Sequence, residues 1–313
     1  MSNGIMLVGE PLGLFIAQSE GHLENVPGFS CAVAGAEFNV AVGMSRLEHT
    51  VGYLTKLGKD PFGKRILKVL EQNNIGTDLV TWSEDRNTGF MLKSMVTVGD
   101  PEIFYFRKNS AASTLSPEDI DQVDFTGYRW LHLTGILPAL SPFTRKAALY
   151  LLEKAREHGL SISFDPNLRP QLWGSKEEMV DTLNDLASKC DVFLPGEAEG
   201  LALMGSADPE KISDYYLSKG VKTVVVKLGG KGAYVAQPDI HFVVPGYPVE
   251  KVIDTVGAGD GFAAGTISGL MEGLKIEDAV KRGNAVGAIQ VMSRGDNEGL
   301  PSREQLKKFM TTK

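Results

Sequence analysis

Along this chain, short near-continuous apolar runs alternate with longer stretches in which apolar residues recur every three or four positions. The runs IMLV from Ile5, VGYLT from Val51, RWLHL from Arg129, LSISFD from Leu160, DVFL from Asp191 and TVVVKL from Thr223 have the character of strands buried on both faces of a parallel sheet. Between them the spacing predicts helices over residues 37–47, 62–72, 143–158, 176–189 and 209–219. Strand–helix alternation of this kind predicts an α/β fold: a doubly wound, mostly parallel sheet with ligands at the carboxyl ends of its strands. The last third changes character. Residues 233–236 and 241–244 read as a hairpin, and two helices follow, one from Phe262 and one over 277–292.

Two stretches break the rhythm. Residues 12–18 with 29–33, and 89–96 with 102–106, read as four strands without intervening helices. Both alternate apolar and polar residues, as in LKSMV and IFYFR, which suits a small sheet with one covered face. They predict one discontinuous β-sheet lid, formed by about residues 10–35 and 88–108 and projecting from a single domain over 1–313. The lid's other apolar face needs a partner, so a homo-oligomer joined lid to lid is expected.

Composition narrows the function. A chain of 313 residues is long enough for one large core. Its net charge is −7 with both signs interspersed, which argues against nucleic acid as a partner; any phosphate site has to be local. Cys31 and Cys190 stand far apart and form no CxxC pair, as expected of a reduced, cytoplasmic protein. The five histidines form no ligand-spaced cluster. The apolar run at 5–8 is interrupted by Gly9 and Glu10, so neither a signal peptide nor a membrane partner is expected.

The residues that carry chemistry concentrate in DTVGAGDGF, residues 254–262. Gly257, Ala258 and Gly259 precede an apolar helical pattern, at a helix N-terminus whose unpaired N–H groups and dipole favour an anion. Asp260 stands in the first turn, beside any bound phosphate. Donors that hold a transferring phosphoryl group, next to a carboxylate that takes a proton, are what phosphoryl transfer to a hydroxyl requires. A dinucleotide fingerprint needs glycine where Phe262 stands, and a P-loop needs Gly-Lys followed by Ser or Thr, which the chain lacks. Asp254 precedes the turn. It is a candidate for holding a substrate hydroxyl or metal-bound water, with a plain turn residue as the alternative. DPNLRP from Asp165 follows a strand's carboxyl end, and Arg169 between Pro166 and Pro170 is a candidate stiffened fork for phosphate or carboxylate, with a plain surface arginine as the alternative. Arg107 lies two residues from Tyr105, so both side chains face one way.

DTVGAGDGF resembles the C-terminal signature of the ribokinase-like (PfkB) carbohydrate kinases. AGAEFNVA over 34–41, with YLTKLGKDPFG over 53–63, resembles their N-terminal signature. Family members commonly carry Gly-Gly where this chain has Ala34-Gly35, which leaves Gly35 as lid hinge and substrate contact. The resemblance covers essentially the whole chain. It implies a ribokinase-like fold, ATP as phosphoryl donor, and Mg2+ bound mainly by the nucleotide phosphates. Asp260 is implied as the catalytic base, with the N–H groups of Gly257, Ala258 and Gly259 for the developing charge, and Asn39 as a ligand of sugar hydroxyls. VVVKLGGKGA from Val224 is similar to the family's VTLGxxG segment, which implies Lys227, Gly229 and Gly232 as nucleotide contacts beside Gly257 and Gly259. Asn284 matches a residue near the adenine. Glu199 of LPGEAEG matches a glutamate that orders Mg2+ through water, although Gly196 replaces that motif's asparagine.

The segments FYFRKNSAAS, LTGILPALSP, FDPNLRPQLW and SRGDNEGLPSREQL resemble those of 2-keto-3-deoxygluconate kinases. That likeness implies a sugar acid phosphorylated on its terminal hydroxyl. The implied substrate site is Gly35, Phe90, Tyr105, Arg107, Ile136, Arg169, Asp254, Asp260 and Asp296. Arg107 and Arg169 would then be two positive forks, for a substrate carboxylate and the γ-phosphate. A kinase of fructose, ribose or 5-dehydro-2-deoxygluconate is the alternative, and a non-catalytic sugar-binding protein on the same fold is a more distant one.

Overall fold

The computed structural model describes residues 4–96 and 101–312; residues 97–100, within the second expected lid segment, lie outside them. The strands in chain order are β1 (Gly4–Val8), β2 (Leu12–Glu20), β3 (Phe29–Ala34), β4 (Val51–Gly58), β5 (Val80–Ser83), β6 (Phe90–Met95) and β7 (Ile103–Phe106). They continue with β8 (Tyr128–Thr134), β9 (Ser161–Asp165), β10 (Val192–Phe193), β11 (Thr223–Lys227), β12 (Gly232–Gln237) and β13 (Ile240–Pro245). The helices are α1 (Ala36–Arg46), α2 (Pro61–Gln72), α3 (Pro117–Ile120), α4 (Pro142–Glu157) and α5 (Lys176–Ser188). After these come α6 (Glu197–Met204), α7 (Pro209–Ser218), α8 (Ala258–Met271), α9 (Ile276–Gln290) and α10 (Arg303–Thr312).

Nine strands form the main sheet in the order β13-β12-β11-β10-β9-β8-β1-β4-β5. From β11 to β5 the pairing is parallel, and the β12–β13 hairpin continues the sheet antiparallel at one edge. The pleat sends alternate residues of β1 to opposite faces. Ile5 and Leu7 join the apolar cluster beneath α1, α8 and α9, while Met6 and Val8 join the one beneath α4, α5 and α7. Burial on both sides is why the strand is apolar at every position.

Local chemistry starts the flanking helices where it does. Asp60 accepts the N–H groups of Phe62 and Gly63 at 2.9 Å, with Pro61 as the first residue of α2. Ser141 and Pro142 do the same for α4. All six expected parallel strands and the hairpin are present. The strand β5 was not expected, because VTWS is too short and polar for the buried-strand pattern. Nor were α3, α6 and α10: α3 is one turn of four residues, α6 carries Gly200 mid-helix, and α10 buries only Leu306.

The second sheet has four strands in the order β3-β2-β6-β7. β2 pairs antiparallel with β3 and parallel with β6, which pairs antiparallel with β7. Its inner face buries Leu12, Leu14, Ala34 and Met91, with Ile103 and Tyr105 packed against them. Its outer face is an aromatic ladder. Phe90 stacks on Phe106 with ring centroids 4.6 Å apart, and Phe62 of α2 stacks on the other side of Phe90 at 5.4 Å. Phe104 and Phe106 remain 56% and 46% exposed.

Candidate active site

A cavity of about 350 Å³ opens between the lid's inner face and the carboxyl ends of β1, β8, β9 and β11. This is where a doubly wound sheet holds its ligands. Gly35 opens α1 at φ +144°, and a Cβ there would stand 2.9 Å from the Glu10 carbonyl oxygen. Gly257 opens α8 at φ +78°, where a Cβ would lie 2.0 Å from the Asp296 carbonyl oxygen. Only glycine fits either turn.

The start of α8 departs from expectation in one detail. The Ala258 N–H donates to the Thr255 carbonyl at 3.3 Å, so it is not free for an anion. The N–H groups of Gly257 and Gly259 have no partner among the described residues, and both glycines line the cavity. Asp260 follows at the cavity floor. Its Oδ2 accepts from Asn39 Nδ2 at 2.7 Å and its Oδ1 from Asn167 Nδ2 at 3.4 Å. Burial pushes the Asp260 carboxyl up to about 7; the Asn39 hydrogen bond pulls it down, Asp165 pushes it up, and Arg169 and Lys227 lower it. A carboxyl poised there is suited to proton transfer near neutral pH.

The cations around the cavity differ in their partners. Lys227, at the end of β11, lies 2.6 Å from Asp165 and 3.7 Å from Glu199. Burial alone would lower its pKa, but these carboxylates outweigh burial and raise it. Glu199 caps α6, accepting the Gly196 N–H at 2.7 Å, and also accepts the Leu168 N–H at 3.2 Å. Arg107 donates through Nε to Glu10 at 2.7 Å, and both are buried. Arg107, expected as one of two positive forks, lines the cavity with its Nε and Nη2 engaged by Glu10. Arg169 donates to the carbonyls of Leu168 at 2.9 Å and Asn167 at 3.4 Å, and has no carboxylate partner among the described residues.

Asp296 also lines the cavity, held at 2.8 Å by Lys93 Nζ of β6. Burial raises the Asp296 carboxyl against the pull of Lys93. Asp254 does not line this cavity. It lies 3.3 Å from the same ammonium and borders a neighbouring cavity of about 690 Å³ between lid and core. Its carboxylate accepts the N–H groups of Val256 at 3.0 Å and Gly295 at 3.3 Å.

Tyr105, Ile136, Gly35 and Asn39 line the cavity, and Phe90 does not. Met91 pairs with Tyr105 across the lid, and Phe90 pairs with Phe106. Directly opposed residues share a face, so Phe90 belongs to the outer ladder and Met91 takes the inner position. At the expected nucleotide end, Gly229 is exposed and outside the cavity. A Cβ on Gly232 would come 2.1 Å from the Val244 carbonyl oxygen, so its close approach is to its own chain. Asn284 is buried, and its amide donates to the carbonyls of Val244 at 3.2 Å and Pro245 at 3.0 Å.

Sequence reasoning missed Glu10, Met91, Lys93, Ile103, Asp165 and Asn167 as site residues. Strand alternation puts Met91 on the face opposite Phe90 without saying which face is inner, and DPNLRP contains both Asp165 and Asn167. Nothing local pointed to Glu10. Among the described residues no group of three or more His, Cys, Asp or Glu is arranged to hold a metal ion. Asp165 and Glu199 supply the hard oxygens that suit Mg2+, in keeping with an ion bound mainly through nucleotide phosphates. No helix among the described residues is long and apolar enough to cross a membrane.

Residues 2–303 match the model of the pfkB family carbohydrate kinases. The chain belongs to this family. Among its relatives is the 2-dehydro-3-deoxygluconokinase of Bacillus subtilis (strain 168), 47% identical over 97% of this chain and 94% of that protein. A PfkB protein from Polaromonas sp. JS666 superposes with a TM-score of 0.90 at 42% identity, covering 97% of this chain and 99% of that one. An E. coli chain assigned as a ribokinase II, solved in complex with ATP and Mg2+, superposes with a TM-score of 0.88 at 27% identity, over 99% and 100% of the two chains. Ribokinase-like architecture, with its large parallel sheet and separate lid, is thus common to this pfkB kinase and its relatives.

Proposed function

We propose that this pfkB kinase transfers the γ-phosphoryl group of ATP to the terminal hydroxyl of 2-keto-3-deoxygluconate, giving 2-keto-3-deoxy-6-phosphogluconate. The observation that carries the reading is Asp260 at the start of α8, beside the free N–H groups of Gly257 and Gly259 and across from Arg169. The relative of that activity, matching 97% of the chain, supports the choice of sugar acid.

In this mechanism the hydroxyl proton passes to Asp260 as the new oxygen–phosphorus bond forms. The bond from the γ-phosphorus to the bridging oxygen breaks, leaving ADP. The N–H groups of Gly257 and Gly259 stabilise charge developing on the transferring group. Asn39 and Asn167 orient the base through its two oxygens. Arg169 is the fork free to take an anionic oxygen, whereas Arg107 is held by Glu10 and meets the substrate as one edge of an ion pair. Mg2+ would neutralise charge on the nucleotide phosphates, and Asp165 and Glu199 would accept hydrogen bonds from water on the ion. Tyr105, Ile136, Met91 and Ile103 wall the sugar and exclude water.

Two further elements belong to this reading. The exposed Phe104 and Phe106 ladder supports a homo-oligomer in which two lids cover one another. The unpaired Cys31 and Cys190 support a reducing, cytoplasmic setting. ADP release with ATP and Mg2+ tests the activity across 2-keto-3-deoxygluconate, 2-ketogluconate, fructose, ribose and 5-dehydro-2-deoxygluconate. Preference for the first supports the sugar-acid reading. Preference for a neutral sugar overturns it and keeps the kinase.

A further inference from the structure

The apolar cluster of the lid's inner face is small: Leu12, Leu14, Ala34 and Met91, with Ile16, Ala32, Ile103 and Tyr105 packed against them. Beside them Lys93 crosses from the lid to the core. Its side chain is 6% exposed, with Nζ 2.8 Å from Asp296 and 3.3 Å from Asp254. Met91 and Lys93 share the inner face of β6, so one strand carries both a wall residue and a cation to the seam. An apolar side chain at position 93 would fill that inner face at lower desolvation cost, so the lysine answers to the aspartates rather than to the sheet.

Both aspartates border the anion turn. Asp254 accepts the N–H groups of Val256 and Gly295, joining the segment that enters α8 to the loop after α9. The Asp296 backbone packs against Gly257 so closely that a Cβ has no room. Without the ammonium, two largely buried carboxylates would face each other, Asp296 on the wall of the sugar cavity and Asp254 on that of its neighbour.

Resting on the kinase reading above, we propose that Lys93 is a positioning residue that fastens the lid to the anion turn. It holds Asp296 toward the sugar hydroxyls and neutralises that wall for an anionic substrate. The test compares Lys93→Met, Lys93→Arg and the Lys93→Met/Asp296→Asn double variant in the full chain. Lys93→Met is expected to raise the KM for 2-keto-3-deoxygluconate at least about 10-fold while the KM for ATP stays within about two-fold. Lys93→Arg should recover most of the loss. The double variant should lose less than the sum of its single changes, because the orphaned charge is gone.

Hydrogen exchange on the ligand-free variants supplies a readout independent of turnover. Amides of β2, β6 and β7 should exchange faster in Lys93→Met, with β1 and β8 unchanged. Unchanged sugar KM with unchanged lid exchange would overturn the proposal. So would equal losses toward sugar and ATP with faster exchange in β1 and β8, which would mark general damage. If the wild type prefers a neutral sugar, the sugar-acid reading falls; the same comparison on that sugar, with the exchange data, still decides whether Lys93 is the fastening.

Discussion

The nine-stranded core sheet is covered by helices on both faces, whereas the four-stranded lid covers a cavity with one face and leaves Phe104 and Phe106 open on the other. Core strands such as β1 are apolar at every position and packed from two sides. The lid buries a handful of apolar side chains and adds charged contacts, Lys93 to Asp296 and Arg107 to Glu10. The core therefore has a single arrangement enforced by area, while the lid's position depends on a few polar contacts that a ligand can rearrange. Chemistry sits on the first and access on the second.

The largest effect should come from the core. Asp260→Asn is expected to lower kcat about 10²–10⁴-fold, with the sugar KM changed only slightly, in steady-state assays. The same variant should melt higher than wild type at about pH 8. Burial raises the Asp260 carboxyl to about 7, so its ionised form is the disfavoured one in the folded chain. That penalty is absent below the ordinary carboxylate range, where folded and unfolded chains both hold the proton, and it grows as pH rises toward neutrality. The gain in Tm should therefore shrink as pH falls and disappear by about pH 3.

Equal truncations should then separate the two sheets. Leu133→Ala in β8 is expected to cost about 2–5 kcal/mol in urea unfolding. Leu14→Ala in the lid should cost under about 1 kcal/mol of global stability and appear mainly as a higher sugar KM, because the lid opens locally. Equal losses of global stability would erase the contrast. A smaller effect is the acid limb of kcat/KM, expected near pH 7 from the raised Asp260 carboxyl. Asn39→Ala removes a hydrogen bond that favours the carboxylate and should move that limb upward in a pH–rate profile. Smallest in energy is Phe106→Ser on the outer ladder. Stability should stay within about 0.5 kcal/mol, while the lid-to-lid oligomer proposed above predicts a shift to monomer in sedimentation velocity.

Much of the core was legible because its signals are local. Each parallel strand except β5 carries its own apolar run, and DTVGAGDGF brings turn, donors and the proposed base together in nine consecutive residues. The lid strands were legible as strands, but their faces required the register: Phe90 pairs with Phe106, which removes it from the cavity that Tyr105 lines. The nucleotide end was legible least. Gly232 and Asn284 match family positions, and the contacts they make within the chain are with Val244 and Pro245.

The alternation of strands and helices, the hairpin, the lid segments and the anion turn were determined by the sequence itself, because spacing within one strand or one helical turn dictates which face is apolar. Only the tertiary structure decided that Arg107 meets Glu10, and that Lys93 meets Asp254 and Asp296, 161 and 203 residues away. Those partners are selected by the packing of whole segments against one another. An isolated lysine in an alternating strand carries no record of the charge it will face.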